Sequence, residues 1–335
     1  MRIGLDAMGG DHAPREIVRG ARDGLRYMGP DDRLILYGIK DQVEAEAREA
    51  GLSDPRISIE HCSEVVEMHE PPVEAIRQKR DSSLMRMAAA AGKGGLDGMI
   101  SAGNTGAFVA ACQLRVRPIE GVSRPGIAVL MPTFHGPVVI CDVGANLSPK
   151  AQHLYEYARM GSIYAQRMLG HAKPRIGLIS IGEEEGKGNP LVKEAFGLIK
   201  SDPSLIYAGN MEGRDIFAGE AEVFICDGFV GNVILKLTEG LAEGLFKTIF
   251  GEFKQESPEL VKAFQPVVDR IWKRHDFAEY GGAPLMGLSS LALICHGRSD
   301  ARAIANAVRA TVEQHRANLI NVITSELGAA KKDAG

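Results

Sequence analysis

A mainly parallel β-sheet covered by helices on both faces is the fold class this sequence predicts, and three features predict it. Short β-branched runs alternate with helix-length segments from one end of the 335 residues to the other. Hydrophobic residues make up 45% and charged residues 24%, the balance of a globular chain rather than a disordered one. Five of the strand candidates end in loops rich in Gly with Asn or Asp.

The strand candidates, in order, cover residues 2–6, 33–37, 57–62, 98–101, 126–131, 138–141, 175–181, 205–208 and 223–226. Helix-length segments at 14–27, 105–117, 149–169 and 189–200 lie among them, as the crossovers of a parallel sheet do. No Pro- or Ser-rich linker divides the chain, so one catalytic α/β domain over 1–335 is expected. One segment departs from the alternation. Leu241, Leu245, Ile249 and Phe253 recur at helical spacing with Phe246 and Phe250 beside them. After Pro258 come Phe264, Val267, Val268, Ile271, Trp272 and Phe277, interleaved with Lys262, Arg270, Lys273, Arg274 and His275. This reads as a helical hairpin over 239–278 that stands outside the sheet.

Charge narrows the function classes. Lys and Arg total 39 against 43 Asp and Glu, a net charge of −4, which excludes a nucleic-acid-binding polycation. An acidic partner must then be met by a local basic patch. The five cysteines include no CxxC pair, so neither a disulfide framework nor a zinc site is indicated, and small buried hydrophobes are expected. Met1-Arg2-Ile3 leads directly into a strand-like run without a signal-peptide core. No apolar stretch reaches the roughly 18 residues of a spanning helix. A reducing cytoplasm is the expected compartment.

The chemistry is carried by the loops at 6–12, 101–106, 141–146, 182–189 and 226–232. In a parallel sheet they share the carboxyl edge, where α/β folds bind ligands. Gly permits close backbone approach, and a helix starting after the loop offers free N–H groups to an anion. A tight turn with an N-cap accounts for any one such loop. Five on one edge, one with Lys187 among glycines, point to a phosphate-sized anion site. His12, between Asp11 and Pro14, is a candidate general base, with a backbone-bonded turn histidine as the alternative. There is no GxGxxG, GxxxxGK[ST] or GxSxG and no histidine pair at ligand spacing, so neither cofactor nor metal is expected.

The run Leu5-Asp6-Ala7-Met8-Gly9-Gly10-Asp11-His12-Ala13-Pro14 resembles the amino-terminal signature of the bacterial phosphate acyltransferases. The resemblance continues through Ser101-Ala102-Gly103-Asn104-Thr105-Gly106-Ala107, Asp142-Val143-Gly144-Ala145-Asn146 and the Lys187-Gly188-Asn189 loop. It extends to Asp227-Gly228-Phe229-Val230-Gly231-Asn232-Val233 and Tyr280-Gly281-Gly282-Ala283-Pro284-Leu285, in the family's order along nearly the whole chain. It implies a Rossmann-like αβα sandwich related to phosphotransacetylases and isopropylmalate-dehydrogenase-like enzymes. It also implies a homodimer that works from the inner membrane surface. Such an enzyme transfers a fatty acyl group from acyl carrier protein to inorganic phosphate, supplying acyl phosphate to a membrane acyl-phosphate:glycerol-3-phosphate acyltransferase.

For that reaction Lys187 and Asn232 are the expected polarising residues: an ammonium neutralises phosphate or oxyanion, and an amide donates without changing charge. The alternative for Lys187 is a solvated lysine paired with Glu183, Glu184 or Glu185. Asp6, Gly9, Gly10, Asn104, Thr105, Gly106, Asn146, Asn189, Asp227 and Gly231 are expected to line the site. Phosphate is largely ionised at neutral pH and a thiolate is a fair leaving group, so acid and base assistance are optional. Acyl carrier protein is acidic, so Arg77-Gln78-Lys79-Arg80 is a candidate docking face, with a solvated helix face as the alternative. Phe264, Ile271, Trp272, Lys273 and Arg274 are candidates for contact with an anionic membrane, and subunit packing is the alternative for that hairpin. Rival readings are a phosphotransacetylase acting on coenzyme A thioesters, a decarboxylating dehydrogenase of related fold, and a scaffold that binds acyl carrier protein without turnover.

Overall fold

The computed structural model describes residues 1–275 and 277–333, and the side chains of Trp272, Lys273 and Arg274 lie outside what is described. From the N-terminus the elements are β1 (Arg2–Asp6), α1 (Arg15–Gly24), β2 (Arg33–Gly38), α2 (Lys40–Glu49), β3 (Ile57–His61), α3 (Pro72–Gln78) and α4 (Ser83–Gly92). There follow β4 (Gly98–Ser101), α5 (Thr105–Arg115), β5 (Gly126–Thr133), β6 (Gly136–Cys141), α6 (Ala151–Leu169), β7 (Arg175–Ile179) and α7 (Pro190–Lys200). The last third holds β8 (Ile206–Met211), β9 (Val223–Ile225), α8 (Gly228–Glu256) and α9 (Pro258–His275). It closes with β10 (Ala283–Met286), β11 (Leu291–Ile294), α10 (Ala301–Arg316) and α11 (Leu319–Asp333).

One sheet of eleven strands runs through the molecule in the order β3-β2-β1-β4-β11-β10-β5-β6-β9-β7-β8. It is parallel in two blocks, β3-β2-β1-β4-β11 and β6-β9-β7-β8. Between them β10 and β5 pair antiparallel to each other and to their outer neighbours. The cause is the tight turn between β5 and β6. Thr133 Oγ1 donates to the Gly136 carbonyl at 2.6 Å and accepts from the His135 N–H at 3.2 Å, and Gly136 takes φ +107°. That hairpin sends β6 back beside β5, so the two blocks run in opposite directions. The single shared carboxyl edge expected from the sequence is therefore replaced by two edges, one from each block.

Both faces are covered. Ile3, Leu5, Leu34 and Leu36 pack with Ile17, Val18, Ile304 and Val308 of α1 and α10 on one side. Met99 packs with α4 and α5 through Met87, Ala88 and Phe108 on the other. In the second block Val139, Ile176 and Leu178 meet Leu154, Tyr157 and Ile199 of α6 and α7. These strands are buried on both faces, which is why they read as continuous apolar runs.

The hairpin is longer than its sequence pattern suggested. Its first arm begins at Gly228 and continues for 29 residues, a rod of about 43 Å. Beyond Ser257 the chain turns back, and the Phe253 and Phe264 rings meet with centroids 4.7 Å apart. Phe229, Val233, Leu237, Leu241, Leu245 and Ile249 all stay exposed along α8, as do Phe264, Val267 and Ile271 on α9. No described helix is long and apolar enough to cross a membrane.

Candidate active site

The loops after β1, β4 and β11 knit into one cluster around Asp6. Its buried carboxylate accepts from Ser101 Oγ at 2.7 Å and from the Met8 N–H at 3.2 Å, and Ser101 Oγ in turn accepts from the Gly103 N–H at 3.0 Å. Burial raises the Asp6 pKa, against the opposing pull of Ser83, Ser101 and the Met8 and Gly9 amides. Gly9 is required there: a Cβ would overlap Asp6 Oδ2 and lie 2.7 Å from the Gly103 nitrogen. Gly10 sits at φ +112°, and the next residue, Asp11, donates its N–H to the Gly297 carbonyl at 2.7 Å.

Asn104 caps α5, accepting from the Ala107 N–H at 3.0 Å, while its amide nitrogen reaches the carbonyls of Glu67, Met68 and Glu70 at 3.0–3.3 Å. Its hydrogen-bonding capacity is thus committed to fold. Lys79 holds the same 65–70 segment, donating to Glu70 and to the Val65 carbonyl at 2.7 Å. Of the basic run at 77–80, Lys79 is therefore built into the structure, while Arg77 and Arg80 are the exposed charges that face solvent. Gly106 packs so tightly that a Cβ would stand 2.7 Å from Pro72 Cγ.

A second cluster forms in the other block around Asp142. Its carboxylate accepts backbone N–H groups from Ile127, Gly144, Ala145 and Asn146 at 2.7–3.1 Å. Burial still raises its pKa, those four donors opposing the shift. Asn146 is buried and donates to the Pro125 carbonyl at 2.7 Å and to Tyr157 Oη at 2.8 Å, so it anchors the loop rather than facing a cleft. The Gly228 N–H donates to the Asn146 carbonyl at 2.9 Å, docking the start of α8 on this loop. Asp227 caps α8 through the Phe229 and Val230 N–H groups at 3.0 and 2.9 Å.

A cavity of about 230 Å³ takes its lining from both blocks. Thr105 contributes from the first block and Val143 and Asn232 from the second, with β5, β10, β11 and α10 supplying the rest of the wall. Asn232 is exposed and sits opposite Gly144, where a Cβ would approach Asn232 Cβ to 4.0 Å. Lys236, bonded to Glu239 at 2.9 Å, follows one turn later on α8. His296 completes the rim. Burial, and next the nearby Lys236 charge, lowers its pKa, so the ring stands neutral at pH 7.

Lys187 lies elsewhere. Its loop closes through its own N–H to the Glu184 carbonyl at 2.9 Å, and the side chain is exposed and lines neither this cavity nor its neighbour. The neighbouring cavity, about 380 Å³, is lined by Ser180, Gly188, Asn189, Asp227 and Val230 among others. The first turn of α8 thus stands between the two, with Asp227 and Val230 on one side and Asn232 on the other. Glu185 pairs with Lys200 and Glu183 with Arg214, so these carboxylates have other partners than Lys187. Asn189 caps α7 by accepting from the Val192 N–H at 2.9 Å. His12 is exposed and lines neither cavity.

The sequence reading named His12 and missed His296, because β11 itself was not recognised. Once β11 is placed, the rule that ligands bind beyond strand ends points directly at Cys295 and His296. A family model described as fatty acid synthesis protein matches residues 1–322. A phosphate acyltransferase of Heliobacterium modesticaldum is 44% identical over 330 residues, covering 98% of each chain. One of Desulforamulus reducens is 45% identical over 332 residues, 98% of this chain and 97% of that one. Among solved structures, a phosphotransacetylase from Streptococcus pyogenes has a TM-score of 0.65 at 21% identity, covering 94% of both chains. A phosphotransacetylase from Staphylococcus aureus has a TM-score of 0.61 at 17% identity over the same shares. At those identities the likeness is one of fold.

Proposed function

Because the chain belongs to the fatty acid synthesis protein family, we infer that it is the enzyme its curated relatives are named for, a phosphate acyltransferase. It passes a fatty acyl group to inorganic phosphate and so serves phospholipid synthesis. Acyl carrier protein is the proposed donor. The observation that carries this reading on the structural side is the cavity joining the blocks, where Thr105 and Asn232 stand over an apolar floor.

The reaction asks for little beyond positioning. A phosphate oxygen attacks the thioester carbonyl carbon, forming the new C–O bond. The tetrahedral oxyanion then collapses, the C–S bond breaks, and the carrier leaves as a thiolate that takes a proton from solvent. Asn232 is the proposed oxyanion donor: its amide is exposed at the cavity rim, and donors preorganised on a helix need no rearrangement as charge develops. Lys187 is proposed to draw phosphate toward the α8 side of the site, and it forms no ion pair among the described residues. Asp6, Asn104, Asn146, Asn189 and Asp227 act by holding loops in place. Of the remaining site candidates, Gly9, Gly10, Gly106 and Gly231 supply close packing and turn geometry.

The exposed apolar side chains of α8, with Phe264 and Ile271 of α9, support attachment of the hairpin to an anionic membrane surface. A homodimer is proposed with it. The deciding assay is phosphate-dependent consumption of palmitoyl-acyl carrier protein with acyl phosphate trapped as product. Asn232→Ala is expected to lower kcat about 100-fold or more, and Lys187→Ala, at a residue outside the cavity that draws phosphate in, to raise the KM for phosphate with kcat little changed. Turnover of acetyl-coenzyme A with none of the carrier substrate would instead make the chain a phosphotransacetylase.

A further inference from the structure

We propose that the cavity between the two sheet blocks is the seat of the acyl chain, and that Ala283 and Ala303 on its wall set the chain length accepted. This rests on the acyl-transfer reading above and adds the location of the aliphatic part of the substrate. The division of the lining by polarity is the basis. Its exposed members are polar: Thr105, Asn232, Lys236 and His296. Ile127, Val129, Val143, Ile294, Cys295 and Ala303 are buried and apolar, Ser299 being the buried exception. A molecule fitting such a site has a polar reacting end at the rim and a hydrocarbon tail within.

The rim holds Asn232, so a thioester placed at its amide directs the attached methylenes onto that floor. The floor is made of sheet-core side chains at the seam, where β10 pairs through Ala283 with Ile294 and through Leu285 with Ile127. Space exists there because the wall is built small at two places. Ala283 begins β10, and Ala303 is the third residue of α10, its N–H capped by Asp300 at 2.8 Å. Cys295, buried with its thiol pKa pushed up to about 12, is an apolar wall atom rather than a nucleophile. At about 230 Å³ the space is below the usual range for a whole drug-sized ligand, so it holds part of a long chain.

The test compares palmitoyl- and butyryl-acyl carrier protein as donors for wild type, Ala303→Leu and Ala283→Leu. Each methylene shut out of an apolar site costs about fourfold in affinity. Loss of three or four contacts lowers the palmitoyl-to-butyryl ratio of kcat/KM by roughly 50-fold or more. Displacement of cis-parinaric acid by palmitate, followed by fluorescence, reads the same site without turnover and is weakened in both variants, while circular dichroism reports whether they fold. A ratio unchanged in both folded variants, with parinarate binding intact, overturns the acyl seat and leaves the activity standing. Absence of acyl phosphate from either donor in wild type overturns the acyl-transfer reading, and parinarate binding then still decides whether the cavity takes a fatty chain.

Discussion

Gly231 and Asp142 lie against each other so closely that a Cβ on Gly231 would overlap the Asp142 carbonyl oxygen. Cys226 Sγ reaches the same oxygen at 3.4 Å. The first turn of α8, and Asn232 with it, is therefore set directly on the loop that follows β6. Gly231→Ala forces the backbones apart and destabilises the protein by about 1–3 kcal/mol, as overpacking does. It also moves Asn232, so kcat falls further than stability explains. Urea denaturation and steady-state kinetics on one preparation separate the two effects.

Asp142, itself fully buried, gathers four backbone donors. Asp142→Ala leaves them without an acceptor, each at about 1 kcal/mol or more, so a loss of at least about 3 kcal/mol is expected. Its raised pKa has a definite sign. The charged form is less tolerated in the folded state, so the contribution is most favourable below the ordinary value of 3.8 and is lost as pH rises through the folded-state pKa. An apparent pKa above 3.8 for this carboxyl, followed by infrared difference spectroscopy against the variant, checks it.

Glu222 and Asp202 behave in the opposite sense. Burial alone would raise Glu222, but the side-chain and backbone hydrogen bonds of Arg175, the guanidinium at 2.5 Å, bring it below 4.5. Burial likewise opposes Ser204, Tyr155 and Arg159 at Asp202, which ends below 3.8. Depressed carboxylates stabilise above their unfolded pKa, and that stability is lost as pH falls through the folded value. Glu222→Gln should lower Tm at pH 7, and its gap from wild type should close below pH 4.5. A gap that stays constant down to pH 3 would contradict this.

The apolar side chains on α8 are unusually continuous for an exposed surface, Leu237 being 67% and Leu241 59% accessible. Leu237→Gln with Leu245→Gln should leave unfolding stability within about 0.5 kcal/mol, since neither contributes to the core. Binding to phosphatidylglycerol vesicles in a flotation assay should drop at least tenfold. Retained flotation with altered sedimentation in the absence of vesicles would assign the stripe to subunit contact.

The nine strands legible in the sequence all form, most within two residues of their expected bounds, because buried parallel strands announce themselves as apolar runs. β10 and β11 were not legible. Each has four residues, Pro284 argues against a strand, and Gly281, Gly282 and Gly287 break the pattern around them. The start of α8 was hidden for a related reason: Gly228 and Gly231 look like loop, and only their packing on Asp142 and Asn146 explains them. The same ambiguity governs the site. Gly, Asn and Asp serve turns, caps and ligands with the same atoms. Residue type and loop pattern do not separate Asn104 and Asn146, spent on carbonyls, from Asn232, which faces the cavity; the family resemblance alone set Asn232 apart.

The N-terminal block is also incomplete without the far end of the chain. β11 takes the edge of β4, and α10 covers α1, where a Cβ on Gly20 would stand 2.7 Å from Ile304 Cγ2 and one on Gly24 2.9 Å from Val308 Cβ. A nascent chain that has reached only the hairpin therefore exposes an unpaired strand and an uncovered apolar helix face, while its second block already has every strand it needs except β10 at the seam. During synthesis the order of emergence and the order of completion are thus reversed: β4 and α1 wait for β11 and α10, which are made after the second block. The cavity between the blocks, whose wall draws on β10, β11 and α10, can close only once the chain through α10 has emerged.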